Sequence, residues 1–165
     1  MSARRLGTIT AGAALVAATL SGCSAIDALS GTGVARNGDG AVTTQSEADA
    51  FDLRVGDCID DNGNASQITS VVILPCKEQH RYEAYATMQL EDGDYPGSDA
   101  IVAQADEFCA SEFQRFAGIG YDDSALDYTY FYPTSQSWSQ GDREVLCLIG
   151  DPTGDVSGTL KDAER

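Results

Sequence analysis

Apolar positions change their spacing several times along this chain, and each change marks an element. From Tyr82 to Leu90 they alternate, with Tyr82, Ala84, Ala86, Met88 and Leu90 against Glu83, Tyr85, Thr87 and Gln89. Period two predicts a half-buried strand. Beyond Tyr95-Pro96-Gly97 the spacing widens to that of a helix: Ile101, Ala105, Phe108, Cys109, Phe113 and Phe116 share one face, with Ser98 as N-cap and Gly118 just past the end. The β-branched run Ile68 to Cys76 and the aromatic run Leu126 to Tyr132 predict two further strands. Glu144 to Ile149 predicts another, with Val145, Cys147 and Ile149 on one face. Val55 to Ile59 reads as a turn entering a short strand, Pro133 to Gly141 as a loop, and Ser157 to Leu160 as a short final edge strand. In sum the fold class is α+β: a small antiparallel sheet, roughly β-β-β-α-β-β, with one main helix packed on it.

Upstream of this pattern the chain has a different character. Arg4 and Arg5 precede an Ala/Gly/Thr-rich apolar run, Leu6 to Thr19, of about 14 residues. That is the layout of a secretory signal, and it falls short of the roughly 20 residues of a membrane-spanning helix. The segment closes on Leu20-Ser21-Gly22-Cys23, which resembles the lipobox of bacterial lipoproteins. The resemblance implies a signal peptide over 1–22 and a diacylglyceryl anchor on Cys23, whose acyl chains would hold the chain stably on a bilayer. From Ser24 to about Ala50 the sequence is polar and glycine-rich, with a short helix at most over Ala25 to Leu29, and reads as a flexible tether. The expected organisation is thus 1–22 signal, 23–50 lipidated cysteine and tether, 51–161 folded domain, and 162–165 a frayed tail.

Charge narrows the partners. The chain carries 26 acidic against 10 basic residues, −16 overall, and loss of Arg4 and Arg5 with the signal would leave 26 against 8, or −18. A surface so acidic repels nucleic acid and anionic headgroups. No nucleic-acid partner is expected, and contact with the membrane is expected through the lipid alone.

Beyond Cys23 four cysteines remain, an even number in an exported chain, which reads as two disulfides. Three pairings are open. The order of the elements favours Cys58 with Cys76 and Cys109 with Cys147, since each bond then joins neighbouring elements and the second ties the helix face to the last long strand. Asn62-Gly63 is a hairpin signal, but a hairpin centred there would set Cys58 opposite Gln67, far from Cys76. Asp60 to Gln67 is therefore read as a longer loop containing a local turn. With no C-x-x-C and His80 as the single histidine, neither a metal site nor a cofactor is expected. The run Asp57, Asp60, Asp61, Asn62 and Asn64 invites a calcium reading. Setting Gly63 at the glycine of an EF-hand loop puts Cys58 and Thr69 at ligand positions, and neither suits.

The series Val55-Gly56-Asp57-Cys58-Ile59, Cys76-x-x-x-His80-x-x-Glu83-Ala84-Tyr85-Ala86, Tyr95-Pro96-Gly97, the helical Cys109, and Pro133-x-x-x-x-Trp138-x-x-Gly141-Asp142-Arg143-x-x-x-Cys147 resembles the septum-formation domain of actinobacterial envelope proteins. Gln79 stands where that family commonly has proline. The resemblance implies a membrane-attached or secreted domain linked to septation. It carries no activity over to particular residues.

No catalytic motif is present, so recognition rather than turnover is expected. The candidate interaction residues are Tyr128, Tyr130 and Tyr132, a period-two tyrosine stripe, and Trp138 in its polar loop; each is weighed against simple packing on the helix or core. The partner would be an envelope or division protein or a wall component. Two alternatives remain: a small hydrolase using His80 with Asp142 or Glu83, and a sensor of a small ligand or wall fragment beside Trp138 and the tyrosines. His80 and Glu83 lie three residues apart, which on one strand would point them to opposite faces.

Overall fold

The computed structural model describes residues 33–60 and 70–165. The signal segment, Cys23, the short Ala25–Leu29 helix, the Asn62-Gly63 turn and the Asp61, Asn62 and Asn64 part of the acidic run lie outside these residues. In chain order the elements are β1 (Ser46–Asp49), β2 (Cys58–Asp60), β3 (Ser70–Leu74), β4 (Gln79–His80), β5 (Tyr82–Gln89), α1 (Ser98–Ala117), β6 (Asp127–Phe131), the single turn α2 (Ser135–Trp138), β7 (Glu144–Gly150) and β8 (Val156–Ser157). Six strands form one antiparallel sheet in the order β1-β3-β2-β5-β7-β6, and β4 pairs with β8 in a small separate ribbon. This is the α+β fold read from the sequence, enlarged by β1 and by the ribbon.

The centre of the sheet explains its thickness. Val145 to Ile149 of β7 are all buried, and a strand without an exposed face needs cover on both sides. α1 covers one side, through Ile101, Ala105, Cys109, Phe113 and Ala117, which recur every four residues and meet Val145, Cys147 and Ile149. Leu146 and Leu148 face the other side, where they pack with Ile59, Ile73, Val71, Ala48, Leu53 and Val42.

That second core draws on residues expected in the tether. Ser46–Asp49 pairs along β3 as an edge strand, Arg36 bridges to Val42, and Val42 and Ala48 are buried. Single apolar side chains in a polar stretch suffice here because each lands on a ready-made hydrophobic face. The C-terminal end is likewise tied down. Asp162 and Glu164 donate their amides to the carbonyls of Phe116 and Ala117, and Ser124 Oγ donates to the carbonyl of Arg165. The two amide bonds satisfy the last carbonyls of α1, so the segment expected to fray caps the helix.

Two local differences stand out. The alternation read from Tyr82 to Leu90 is broken by a bulge at Tyr85: Ala84 lies opposite Leu148, yet Ala86 lies opposite Cys147. One extra residue shifts the register. Tyr82 and Ala84 therefore join the second core, whereas Tyr85, Ala86, Met88 and Leu90 join the helix side. At the start of α1, Gly97 rather than Ser98 is the N-cap, and the Ser98 hydroxyl pairs with Tyr95 Oη at 2.9 Å. Gly118 ends the helix in the left-handed region, φ 81°, as its position implied.

Both favoured disulfides form. Cys58–Cys76 joins β2 to the turn after β3, with Cα atoms 5.1 Å apart, and Cys109–Cys147 joins α1 to β7 at 5.6 Å. Cys58 lies opposite Leu74 in the ladder, close to Cys76 as the disulfide requires, and the connection read as a longer loop falls mostly outside the described residues.

Candidate functional site

The polar residues that mark the sequence motifs are turned inward. Asp57 follows Gly56, whose φ of +93° only glycine adopts readily. The turn sends the Asp57 carboxylate, 2 % exposed, into a two-pronged bond with Arg36: Nη1–Oδ1 2.5 Å and Nη2–Oδ2 2.7 Å. The Arg54 amide donates to the same carboxylate. Asp60 accepts from the Arg81 amide through Oδ1. These two acids of the run that invited a calcium reading thus have protein partners.

His80 is fully buried, with Nδ1 2.9 Å from the carbonyl of Glu78. Its Nε2 has no hydrogen-bond partner among the described residues. Glu83 lies on β5, beyond the break at Arg81, and its buried carboxylate accepts from Thr159 Oγ1 at 2.7 Å and from the Leu160 amide at 2.6 Å. Glu83 thereby holds the C-terminal segment against the sheet. An oxygen of Glu83 and the two sulfurs of Cys58 and Cys76 lie within 4.8 Å of one another, but the sulfurs are bonded to each other and offer no thiolate to a metal.

The second motif is built the same way. Trp138, at the end of α2, is buried and donates Nε1–H to the carbonyl of Gly93 at 2.9 Å. Arg143 lies over its ring, with Cζ 3.7 Å from the centroid, and donates to the carbonyls of Trp138 and Asp142, with Asp92 3.2 Å from its Nε. Tyr95 also meets the indole edge-on, with ring centroids 5.7 Å apart. Gly141-Asp142-Arg143 thus locks a loop around a core tryptophan by cation–π stacking and charge-assisted bonds. Asp142 caps the amide of Glu144, and burial with the nearby Asp142 charge holds the Glu144 carboxyl above its ordinary value.

The tyrosine stripe is different, because it reaches the surface. Tyr128 packs on Phe113 and on Tyr121, with the Tyr121–Tyr128 ring centroids 4.8 Å apart. Tyr130 Oη donates to Asp106 of α1 at 2.7 Å, and Tyr121 Oη donates to Asp127 at 2.8 Å. Tyr132 stacks edge-on against Tyr130 and remains 39 % exposed, as does Tyr121. All of this lies around β6, the outermost strand on its side of the sheet. The phenols sit in a negative field. Tyr130 is raised by burial first and then by its bond to Asp106, Tyr121 by its bond to Asp127 first, and Tyr128 by burial first and then by Asp106 and Asp127. Sequence reasoning overlooked Tyr121 and the two aspartates. Tyr121 sits in a short 3-10 turn outside the period-two run, and Asp106 comes from the helix.

Four aromatic rings and two exposed carboxylates thus form one surface, whereas Trp138 belongs to the core at a separate loop. Phe51 and Val55 are also exposed, at 62 % and 50 %, near the start of β2. Among the described residues no helix is long and apolar enough to cross a membrane. Neither a curated protein nor a solved structure matches the chain. A family model described as septum formation does match it, over residues 23–147. That match spans both disulfides, the buried Asp57 and the Trp138–Arg143 loop, and links the chain to septum formation and the cell envelope: it belongs to the septum-formation family.

Proposed function

We propose that this chain is a lipoprotein anchored through Cys23 to the outer face of the cytoplasmic membrane, where it acts as an interaction module during septum formation. One observation carries this reading. Asp57, Glu83, Trp138 and Arg143 are consumed in holding the fold, and so is His80, apart from its unpartnered Nε2. What reaches the surface at β6 is a set of aromatic rings with fixed carboxylates. Rigid tyrosines present contact area at low entropic cost, which suits recognition. Conversely, a fully buried histidine and a carboxylate already holding two donors give little support to acid–base chemistry, which requires groups within reach of a substrate. The partner is a division or envelope protein, or a wall component.

The test is mild crosslinking of the full chain in envelope membranes, followed by capture and mass spectrometry, with Cys23→Ala as the unanchored control. Retention of division or wall-synthesis proteins that is lost with Cys23→Ala is the expected result. Equal recovery from both forms would overturn the role of the anchor, and recovery of nothing specific by a folded, anchored chain would overturn the partner reading.

A further inference from the structure

β6 has one neighbour in the sheet, β7. Among the described residues its other side is an open edge, and an open edge is a template for another strand. Two observations fix which residues line it. The Tyr128 amide donates to the adjacent Asp127 carboxylate at 2.8 Å. On β7 the Arg143 carbonyl accepts from the Leu90 amide and the Val145 carbonyl from the Thr87 hydroxyl, both on the β5 side. Backbone groups alternate in direction along an antiparallel strand, so Leu146, Leu148 and Gly150 face β6 and bond Phe131, Thr129 and Asp127, their partners in register. Tyr128 and Tyr130 therefore present their backbone groups outward.

The chemistry beside that edge selects its occupant. Asp106 and Asp127 are exposed, and each is held in place by a tyrosine hydroxyl. Asp122 and Asp123 are exposed on the turn that carries Tyr121. Arg165, brought close through Ser124, is already paired with Asp151 at 2.9 Å. A second copy of this chain is a poor fit, because antiparallel pairing of two β6 edges would bring like carboxylates together on a molecule of net charge −16. A strand with cations on alternate residues fits well: its backbone continues the ladder while its side chains reach the rings and carboxylates of one face.

We propose that β6 is a strand-addition site for an extended lysine- or arginine-bearing segment of a partner protein, which rests on the reading of the chain as an interaction module. The probe is a short alternating lysine–threonine peptide, titrated against the whole disulfide-bonded chain labelled with nitrogen-15. The amides of Tyr128, Tyr130 and Tyr132 should shift together. Combining Asp106→Asn with Asp127→Asn, which keeps acceptors for both tyrosines, should weaken binding at least about tenfold. The same peptide N-methylated on the amides that would face β6 should not bind. Retained disulfides and near-ultraviolet dichroism establish that the variant is folded. Shifts spread evenly over the acidic surface, equal binding of the N-methylated peptide, or β6 shifts that depend only on protein concentration would each overturn the assignment. Such a failure alongside a specific partner in the envelope crosslink would remove the β6 site and leave the interaction module standing.

Discussion

Arg36 and Asp57 lie 21 positions apart and close a two-pronged ion pair that fastens the N-terminal segment over the second face of the sheet. Asp57 is the more buried partner, and the Arg36 guanidinium is held above its ordinary value, chiefly by the bond to Asp57. Removing the cation leaves a buried carboxylate with only amide support. Arg36→Met is therefore expected to cost about 3 to 5 kcal/mol, read as a lower urea midpoint. Adding Asp57→Asn should recover part of the loss, because the neutral amide still accepts from the Arg54 amide. If Arg36→Met leaves the midpoint unchanged, the pair does not fasten the segment.

Gly150 ends β7 where the backbone of Arg81 crosses it. A Cβ there would lie 2.5 Å from the Arg81 carbonyl oxygen and 2.9 Å from Tyr82 Cδ1. The obstacle is backbone, so the strand itself must shift. Gly150→Ala should destabilise by about 1 to 3 kcal/mol. Gly154→Ala, which meets nothing within 4 Å, is the matched control and should stay within about 0.5 kcal/mol. Equal thermal midpoints for the two variants would contradict the close approach.

Local pattern carried the helix phase, the long strands and the cysteine pairing, because each depends on residues close in sequence or on one shared face. It could not carry the cover of the second face. Val42 and Ala48 are isolated in a polar, glycine-containing stretch, and their burial depends on a sheet built from residues downstream. The bulge at Tyr85 was hidden for a related reason. Alternation holds on both sides of it, and a shift of one residue between two alternating halves is invisible until the partner strand fixes the register. The tyrosine stripe was legible as a stripe, but Asp106 and Tyr121, which make it an acidic aromatic surface, come from other elements. Val145 to Ile149, a run without a polar position, did carry the information that both faces are covered.

Access separates the two disulfides. Cys109, Cys147 and Cys58 are buried, whereas Cys76 is partly exposed beside the carbonyl of Gly56. Exchange requires a thiolate to reach a sulfur, so mild reductant should open Cys58–Cys76 first, as followed by alkylation and mass spectrometry. The bonds close sequence separations of 18 and 38 residues. Loop entropy alone then assigns about 3 and 4 kcal/mol to them, and replacing Cys109 and Cys147 together by alanine should be the more damaging change. Simultaneous opening of both bonds under mild conditions would show that exposure of Cys76 does not set the order.

The phenols report the field around β6. Tyr85 is raised by burial first, with Tyr128 and Glu112 adding, and its hydroxyl donates to the carbonyl of Cys109; Tyr121, Tyr128 and Tyr130 are raised as described above. For a group whose folded value lies above its unfolded value of about 10, the stabilisation is present in full below that pH and is lost as pH climbs through the folded value. An ultraviolet titration of the native chain should thus show four of the seven tyrosines ionising late. In denaturant all seven should ionise together near the ordinary value. Asp106→Asn removes a negative charge that raises Tyr130 and Tyr128, so both should ionise at lower pH in that variant while Tyr85 stays put. A native titration indistinguishable from the denatured one would mean that these rings lie in solvent and that the carboxylates do not hold them.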